Sequence, residues 1–471
     1  MSDENNITEI EPIVVGADDA PIEEVAPIVV ATDTPTEAEA DSAGDVSSPD
    51  ALPPLSGSTT AAQRKDELEN AVASNNIPQL VQILLTYAIE QGASDIHIEP
   101  MQNTIRVRYR VDGVLHRVIE YPRNLNPGVV ARIKIVSNLK IDEQRLPQDG
   151  RTQLTTDEGR EMDVRVSTLP TINGEKVCMR LQDKSRDIPN FDELGITGRN
   201  REVISRAIDA PNGIFLVTGP TGSGKTTTLY SALSILNQIS DNIMTCEDPV
   251  EYQMDGLNQS QMRPEINFDF ASGLRTALRQ DPDIIMVGEI RDLETVEIAI
   301  RAALTGHLVL STVHTNSSSE TITRLIDMGA KPFLISSAVR AILAQRLVRK
   351  VCEHCREEID AEPKLLENVK KDIANYVPAS EREKNTIAKM QFYRGKGCEY
   401  CNGTGYKGRI GIYEALEITQ EIQRLIVKER PANEIEDTAL KEGLVKLRTD
   451  GILKALEGIT TLEEVYEIVG R

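Results

Sequence analysis

Residues 213–230, GIFLVTGPTGSGKTTTLY, decide the fold of this chain. The apolar run GIFLV predicts a buried strand, and TTTLYSALSILNQI from residue 226 predicts a helix. Between them, GPTGSGKT (219–226) fits the pattern G-x-x-x-x-G-K-[ST] without departure. A strand before this pattern and a helix after it are the setting that a phosphate-binding loop (P-loop) requires, and they disfavour a chance glycine-rich turn. The stretch therefore predicts a nucleotide-binding protein.

Each part of the P-loop has a chemical task. The glycines let backbone N–H groups fold around phosphates, and Lys225 brings a positive charge to the β and γ oxygens. Thr226 supplies a hydroxyl to Mg²⁺, and the start of the helix adds its positive dipole end. We therefore expect ATP and Mg²⁺ as ligands. The residues expected at the nucleotide are Gly219, Pro220, Thr221, Gly222, Ser223, Gly224, Lys225, Thr226 and Thr227.

Outward from the P-loop, short apolar strands alternate with helical segments. The segments are NIMTCED (242–248), ASGLRTALRQ (271–280), DIIMVGEI (283–290) and LVLSTVHT (308–315). This rhythm is typical of a doubly wound, mostly parallel sheet. We expect an α/β ATPase domain over residues 188–471, with helices at 415–471.

Two acidic residues end later strands, where open sheets place their ligand groups. Glu247 lies in TCEDPVEY (245–252), and Glu289 ends IIMVGE (284–289). Either carboxylate could hold Mg²⁺ through water or orient the attacking water, and a solvated acid at a strand end is the alternative.

Two histidines, His307 and His314, flank the apolar strand of TGHLVLSTVHT (305–315). They could sense the γ-phosphate or connect the nucleotide to the next subunit. A structural hydrogen bond is the alternative for each.

The first part of the chain has a different composition. Residues 1–62 contain seven prolines and no aromatic residue, and the first 60 carry 14 acidic side chains and no Lys or Arg. Such a segment buries too little apolar surface to offset its ordering entropy, so we expect a disordered tail. Its near-repeat, EPIVVG (11–16) and APIVVA (26–31), is either low complexity or a pair of short docking motifs.

Residues 63–187 read as a small α+β domain. PQLVQILLTYAIEQG (78–92) has apolar residues at helical spacing, and alternating residues on both sides of Asp112-Gly113 predict a β-hairpin. Further strands are expected on either side of Asn173-Gly174, and residues 186–205 read as a linker to the next domain.

The charge balance disfavours nonspecific nucleic-acid binding. The net charge is −22, from 74 acids and 52 bases; without the 14 acids of residues 1–60 it is −8. A nucleic-acid translocase with a zinc ribbon, the rival hypothesis, needs a basic or aromatic channel, and this chain has no Trp and six Phe. No apolar run approaches the roughly 20 residues of a membrane span, and no signal peptide is recognisable, so we expect a cytoplasmic protein.

Four of the six cysteines form two C-x-x-C pairs, with 42 residues between the pairs. Two such pairs can close a tetrahedral site of four thiolates, which is typical of structural zinc. We expect Cys352, Cys355, Cys398 and Cys401 to bind one Zn²⁺ in a lobe spanning 345–410. Reduced, unligated cysteines are the alternative.

From residue 79 onward the sequence resembles the secretion ATPases of type II secretion and type IV pilus assembly, of the GspE/PilB kind. The resemblance rests on the order of its motifs. These are ASDIHIEP (93–100), RLPQDGR (145–151), VRVSTLP (164–170), GPTGSGKT, TCEDPVEY, LRQDPDIIMVGEIRD (278–292), TGHLVLSTVHTN (305–316), Gln345-Arg346-Leu347 and GYKGRIGIYE (405–414).

The resemblance implies a homo-hexamer whose subunits carry a PAS-like domain ahead of a RecA-like ATPase domain. It implies that Glu247 and Glu289 act on Mg²⁺ and water, and that arginines of the first domain reach the nucleotide during closure. Arg165 and Arg180 match those arginines best by strand position. Further basic residues in the family's motifs are Arg275, Arg279 and Arg291, and a surface ion pair is the alternative for each arginine.

Within this family, the cysteines indicate which class of motor the chain resembles. Retraction motors of the superfamily lack them, whereas assembly and secretion members carry them. The resemblance therefore implies a motor that extends a type IV pilus or a type II secretion pseudopilus. It implies an inner-membrane platform protein as partner and recruitment to the cytoplasmic face of that membrane. From the charge balance, we expect no nucleic acid as a partner.

Overall fold

The computed structural model describes residues 61–156, 161–183, 187–360, 363–377, 387 and 390–470. The strands are β1 Ala93–Pro100, β2 Thr104–Val111, β3 Val114–Pro122, β4 Gln148–Thr155, β5 Glu161–Thr171, β6 Gly174–Asp183, β7 Gly213–Thr218, β8 Ile243–Glu247, β9 Asn258–Gln261, β10 Ile284–Val287, β11 Leu308–Val313, β12 Val339–Val351, β13 Arg356–Ile359, β14 Phe392–Gly395 and β15 Tyr406–Glu417. The α-helices are α1 Ala61–Ala73, α2 Ile77–Glu90, α3 Asn126–Val136, α4 Gly198–Ile208, α5 Lys225–Leu236, α6 Phe270–Ala277, α7 Leu293–Leu304, α8 Ser318–Asp327, α9 Pro332–Ala338, α10 Pro363–Tyr376, α11 Gln420–Val427, α12 Ala432–Lys441, α13 Leu447–Leu456 and α14 Leu462–Val469. Short 3-10 turns occur at Arg123–Leu125, Pro264–Ile266 and Glu399–Cys401.

The first six strands form an antiparallel sheet in the order β3-β2-β1-β6-β5-β4, and we call residues 61–183 the N-terminal lobe. Along β2, buried Ile105, Val107 and Tyr109 alternate with arginines. The apolar face packs with residues of α2 and α3 in one core, while the arginine face stays polar. The predicted helix and hairpin are confirmed. The likeness to a PAS domain stays a prediction.

Seven strands form the second sheet, in the order β15-β12-β7-β11-β10-β8-β9. All neighbours are parallel except β12 and β15, so the prediction of a mostly parallel α/β sheet is confirmed. Strands β7, β10 and β11 are buried along their whole length because helices cover both faces. We call residues 187–470 the C-terminal lobe.

The linker prediction for residues 186–205 is wrong in its second half. Helix α4 occupies that part and packs against β7, β12 and β15. Its buried residues Val203, Ile204, Ala207 and Ile208 recur every three to four positions, which gives the otherwise polar helix one apolar face.

The cysteine pairs lie in an insertion between β12 and β15, and we call the described residues of 352–405 the cysteine lobe. It contains the two-stranded sheet β13-β14 and helix α10. The predicted lobe 345–410 therefore begins and ends inside two strands of the main sheet. Four helices follow β15, as predicted for the C-terminal region.

The described residues belong to one compact unit, and the domain boundary at 187/188 stays a prediction. The predicted disordered tail lies outside the described residues, except that Ala61 and Ala62 begin α1. No helix among the described residues has the length and apolar character to span a membrane.

Candidate functional site

The P-loop connects the end of β7 to the start of α5. Gly219 and Gly224 have φ values of 152° and 85°, in a region that side chains other than glycine rarely adopt. A Cβ on Gly219 would also lie 2.6 Å from the carbonyl oxygen of Gln345. Glycine at these positions is therefore required by backbone conformation and by the close approach of β12.

Lys225 is buried at the first position of α5, as the motif predicts. Its Nζ donates to the carbonyl oxygens of Gly219 at 2.9 Å and Pro220 at 3.2 Å. Burial lowers the pKa of Lys225 to about 8; nearby Glu289 opposes this shift and Arg346 adds to it. The ammonium group is thus held inside the loop, where it can meet a phosphate.

The residues of the P-loop suit nucleotide and Mg²⁺. Thr226 is exposed in the first turn of α5, and within the described part of the chain its hydroxyl has no hydrogen-bond partner. That hydroxyl is free to ligate a cation beside the phosphates, whose negative charge the helix start also favours.

Glu289 lies two residues after β10, at the edge of the sheet that carries the P-loop. Its side chain is 13% exposed, and its carboxylate pairs with Arg291 and with Nε2 of His314 at 3.3 Å. Burial, together with the charge of Lys225, lowers the pKa of His314, so the imidazole is neutral near pH 7 and donates Nε2–H to Glu289. The structure thus brings three predicted site residues together: Lys225, Glu289 and His314.

Glu247 is buried and held by side chains around it. One carboxylate oxygen accepts from Thr245 at 2.6 Å and Gln259 at 3.1 Å, and the other accepts from Tyr230. Burial raises the pKa of Glu247, and these hydrogen bonds oppose the shift. Because both oxygens are already engaged, contact with Mg²⁺ or water would require rearrangement. Its catalytic role stays a prediction.

His307 lies at the opposite edge of the sheet. It precedes β11, whose residue Leu308 pairs with Gly213 at the start of β7, whereas the P-loop follows the end of β7. At about 3.3 Å per residue, the two edges are roughly 17 Å apart. Nδ1 of His307 donates to the Ala302 carbonyl oxygen at 2.9 Å. This position does not support a contact with the nucleotide of the same chain, and a link to another subunit stays untested.

Arg165 and Arg180 are paired neighbours on β5 and β6, on the polar face of the N-terminal sheet. Nη2 of Arg165 lies 3.4 Å from Glu251 of the C-terminal lobe, and Gln182 donates to the same carboxylate oxygen. Arg180 pairs within its own sheet with Asp95 at 3.1 Å. Each arginine is thus paired with a carboxylate that does not belong to the P-loop.

The three other predicted arginines lie on or after α6 and β10. Arg275 pairs with Glu294, and Arg279 donates to the Arg275 carbonyl at 2.9 Å. Arg291 pairs with Glu289, so it is the one of the three that joins the cluster around Lys225.

Two residues at the P-loop were not predicted as site residues. Gln345 donates to the Ser223 carbonyl at 2.6 Å and accepts from Thr228 at 2.9 Å. Arg346 follows it and donates to the Asn316 carbonyl at 3.0 Å. The sequence signal was present, since both belong to a motif quoted for the family resemblance, but only the pairing of β12 with β7 places them here.

The four predicted zinc ligands lie together. The sulfur atoms of Cys352 and Cys398 are 3.8 Å apart, as are those of Cys355 and Cys401, and all four lie within 4.8 Å of one another. Four sulfurs at the usual Zn–S distance of about 2.3 Å from a tetrahedral centre are about 3.8 Å apart. The N–H groups of Cys398 and Gly405 both donate to Sγ of Cys401 at 3.2 Å, which stabilises a thiolate. The cluster therefore fits a closed zinc site.

Comparisons with known proteins agree with this geometry. The sequence model of the family described as "Type II/IV secretion system protein" matches residues 70–467. The chain is 47% identical over 402 residues to the type IV pilus assembly ATPase PilB of Myxococcus xanthus, covering 85% of this chain and 69% of that protein. It is 46% identical over 409 residues to the type II secretion system ATPase E of Vibrio cholerae, covering 86% of this chain and 78% of that protein.

Solved structures show the same fold. The pilus retraction motor PilT with bound ADP has a TM-score of 0.52 at 26% identity, covering 82% of this chain and 96% of that one. The ATPase DotB of Legionella pneumophila has a TM-score of 0.59 at 21% identity, covering 88% and 97%, and this likeness concerns the fold alone. The chain therefore belongs to the type II/IV secretion system protein family, among the secretion ATPases of the GspE/PilB kind.

Proposed function

We propose that this protein is a Mg²⁺-dependent ATPase that powers assembly of a type IV pilus or a type II secretion pseudopilus. One observation carries the proposal: a complete P-loop with Lys225, Glu289 and His314 gathered at one sheet edge. It occurs in a chain closely similar to proteins named for both machines. ATP is the substrate, and no covalent intermediate is needed, because positioning and charge neutralisation suffice for phosphoryl transfer.

The residues of the site divide the work. Backbone N–H groups of the P-loop and Lys225 hold the phosphates, and Thr226 would hold Mg²⁺, which supplies neutralisation of the phosphate oxygens. Glu289 orients the attacking water, and the neutral His314 holds the Glu289 carboxylate in place. Glu247 is held near this edge of the sheet by buried hydrogen bonds, one of them from Tyr230. It can contact water or Mg²⁺ only when these hydrogen bonds break.

The active form is a homo-hexamer in which the lobes move during turnover. Arg165 and Arg180 supply positive charge to the γ-phosphate once they leave Glu251 and Asp95. The position of Arg165 at the boundary between the lobes supports this role. Its ion pair with Glu251 is partly exposed, so breaking that pair costs only about 0–1 kcal/mol.

One structural Zn²⁺ is bound by the four cysteines of the cysteine lobe. The sulfur spacing and the two N–H donors to Cys401 support a site with four protein ligands and no open position. Such a site holds the insertion together and takes no part in hydrolysis.

The protein works in the cytoplasm, recruited to the inner membrane by the platform protein of the pilus or secretion machine. Motion of the lobes passes to that platform, which adds pilin subunits. The names of the relatives support this assignment, and the charge of the chain favours it over a nucleic-acid translocase.

The test is deletion of the gene and complementation with the parent or with Lys225→Ala. We expect deletion to remove surface pili or to block protein export, and only the parent gene to restore them. Normal pili together with normal export in the deletion strain would contradict the assignment. If DNA stimulates ATP hydrolysis by the purified protein, the result would favour the nucleic-acid translocase instead.

A further inference from the structure

A cavity lies between the N-terminal lobe and the cysteine lobe, away from the P-loop. Its volume is about 330 Å³, and it is lined from one side by residues of α1, α2, β2 and β3. The other wall comes from the end of β12 and from the segment of Cys401–Lys407. This volume is at the lower end of the range for small-molecule sites, about 300–1,000 Å³.

Two hydrogen bonds close the rim of the cavity across the lobes. The Gly408 N–H donates to the Asp112 carboxylate at 2.8 Å, and the Asn402 amide donates to the Gln91 side chain. Asn402 directly follows the ligand Cys401 and has a φ of 52°. The turn that presents two of the cysteines is therefore also the turn that meets the N-terminal lobe.

The cavity is positively charged in a chain of negative net charge. Lys65, Arg117, Arg349 and Lys407 line it, against the single carboxylate of Asp112. Arg117 and Arg349 have carboxylate partners, Glu120 at 3.3 Å and Glu464 at 2.8 Å from Nε. Of the residues that the structure describes, none forms an ion pair with Lys65 or Lys407. Both lysines thus line the cavity without a carboxylate partner among the described residues, and the Lys407 ammonium lies 5.5 Å from the centre of the Tyr400 ring.

Three tyrosines are among the other residues that line the cavity. Tyr87 packs edge-on against Tyr109, with 5.8 Å between ring centroids, and the Arg349 guanidinium lies 4.2 Å above the ring of Tyr406. Rings and a guanidinium plane are surfaces on which a planar heterocycle stacks. Lysines that lack carboxylate partners favour a phosphate.

We propose that this cavity binds a nucleoside monophosphate, with the phosphate at Lys65 and Lys407 and the base against the tyrosines. A monophosphate is among the smaller nucleotides, which suits a cavity of about 330 Å³. The ligand touches both lobes, so it stabilises the arrangement in which Asp112 meets Gly408 and opposes their separation. The site is therefore regulatory, because its occupancy opposes the rearrangement of the lobes during turnover, a role that rests on the proposed function.

The experiment measures binding of AMP and of GMP to the full-length, zinc-loaded protein by calorimetry. Lys225→Ala serves as the background, so that the P-loop contributes little. We expect saturable binding at a single site. The double variant that carries Lys65→Gln and Lys407→Gln lacks two phosphate contacts, so its affinity should be at least 10-fold lower. Lys428→Gln, at an exposed lysine outside the cavity, is the matched control and leaves the affinity unchanged.

Two further ligands separate the parts of the proposal. Adenosine lacks the phosphate and inorganic phosphate lacks the ring, so both bind at least 10-fold more weakly than AMP. Hydrogen exchange at residues 402–408 slows when AMP binds, because the ligand holds the lobes together. The proposal is overturned if neither nucleotide binds at millimolar concentration, or if the double variant binds AMP as the parent does.

Discussion

Tyr230 connects the P-loop helix to the acidic segment that follows β8. Its hydroxyl donates to the buried Glu247 carboxylate and accepts from the backbone N–H of Glu251 at 3.2 Å. Glu251 in turn holds Arg165 of the N-terminal lobe. A single side chain of α5 thus links the nucleotide-binding helix to the contact between the lobes.

Replacing Tyr230 with Phe should destabilise the protein by about 1–3 kcal/mol, because a buried carboxylate loses a donor and cannot recruit water in its place. The measurement is the free energy of unfolding from urea titration, with Tyr400→Phe, an exposed tyrosine, as the control. If Tyr230→Phe loses no more stability than the control, the hydrogen bond from this hydroxyl to Glu247 does not stabilise the fold.

At the scale of elements, the sequence allows local motifs to be predicted but not contacts between distant strands. The P-loop and Glu289 were recognisable because each is encoded by neighbouring residues at the end of one strand. Gln345 was not, because its place beside Ser223 depends on β12 pairing with β7, more than 100 residues earlier in the chain. Helix α4 was missed because its apolar residues are few and form a single narrow face.

Glu417 at the end of β15 fastens α4 to the main sheet. It accepts from Arg206 at 2.8 Å and from Arg199 at 2.8 Å. The hydrogen bond from Arg206 is the main cause that lowers the pKa of Glu417, while its partial burial opposes the shift. The carboxylate is therefore charged in the folded protein at pH values where it begins to protonate in the unfolded chain.

Because the folded-state pKa of Glu417 is depressed, its contribution to stability is present above the unfolded pKa, about 4.3, and is lost as the pH falls through the folded value. Glu417→Gln should lower the free energy of unfolding by about 1 kcal/mol at pH 7, and by progressively less below a pH of about 4. Unfolding measured across this range, with the exposed Glu265→Gln as control, checks the prediction. A cost that stays constant down to the lowest pH would contradict it.

Zinc should stabilise the cysteine lobe without being needed by the P-loop. Binding energies at such sites are on the order of 10–16 kcal/mol in small peptides, so loss of metal should unfold the lobe and release the contacts of Asn402 and Gly408 with the N-terminal lobe. The first measurement is elemental analysis of protein purified without chelator. The second is hydrogen exchange of the double variant that carries Cys352→Ser and Cys355→Ser.

Cys178→Ser serves as the control, since that cysteine lies on β6, outside the cluster. We expect one zinc per subunit in the parent and in the control, and none in the double variant, whose main sheet stays protected. An absence of zinc from the parent protein would count decisively against the site.

At the scale of the whole molecule, the role that we propose for Arg165 and Arg180 requires the two lobes to change their arrangement during turnover. In the structure, Arg165 is bound to Glu251 and Arg180 to Asp95, so both guanidinium groups already have carboxylate partners. Closure in the hexamer would exchange these carboxylates for the γ-phosphate. An arginine that does so contributes about 10³–10⁵ in rate in other phosphoryl-transfer systems, far more than a surface ion pair contributes to stability.

Arg165→Ala and Arg180→Ala should therefore reduce turnover strongly while leaving ATP affinity nearly unchanged. Arg110→Ala is the matched control, since Arg110 lies on the same polar face and pairs with Asp95 at 3.5 Å. Parent-like hydrolysis by both variants would show that these arginines are structural. The next candidates would then be Arg275, Arg279 and Arg291.

The central claim, that this chain hydrolyses ATP at the P-loop edge with Glu289 acting on water, is tested most directly by Glu289→Gln. The substitution keeps the size of the side chain but removes its charge and replaces one acceptor oxygen by an NH2 donor. Turnover and ATP affinity of the purified protein are measured separately, with Lys225→Ala as the variant that loses hydrolysis altogether. We predict that Glu289→Gln retains ATP binding and slows hydrolysis about 10²–10⁴-fold, the usual contribution of a positioned base. Hydrolysis by Glu289→Gln at the parent rate would contradict it.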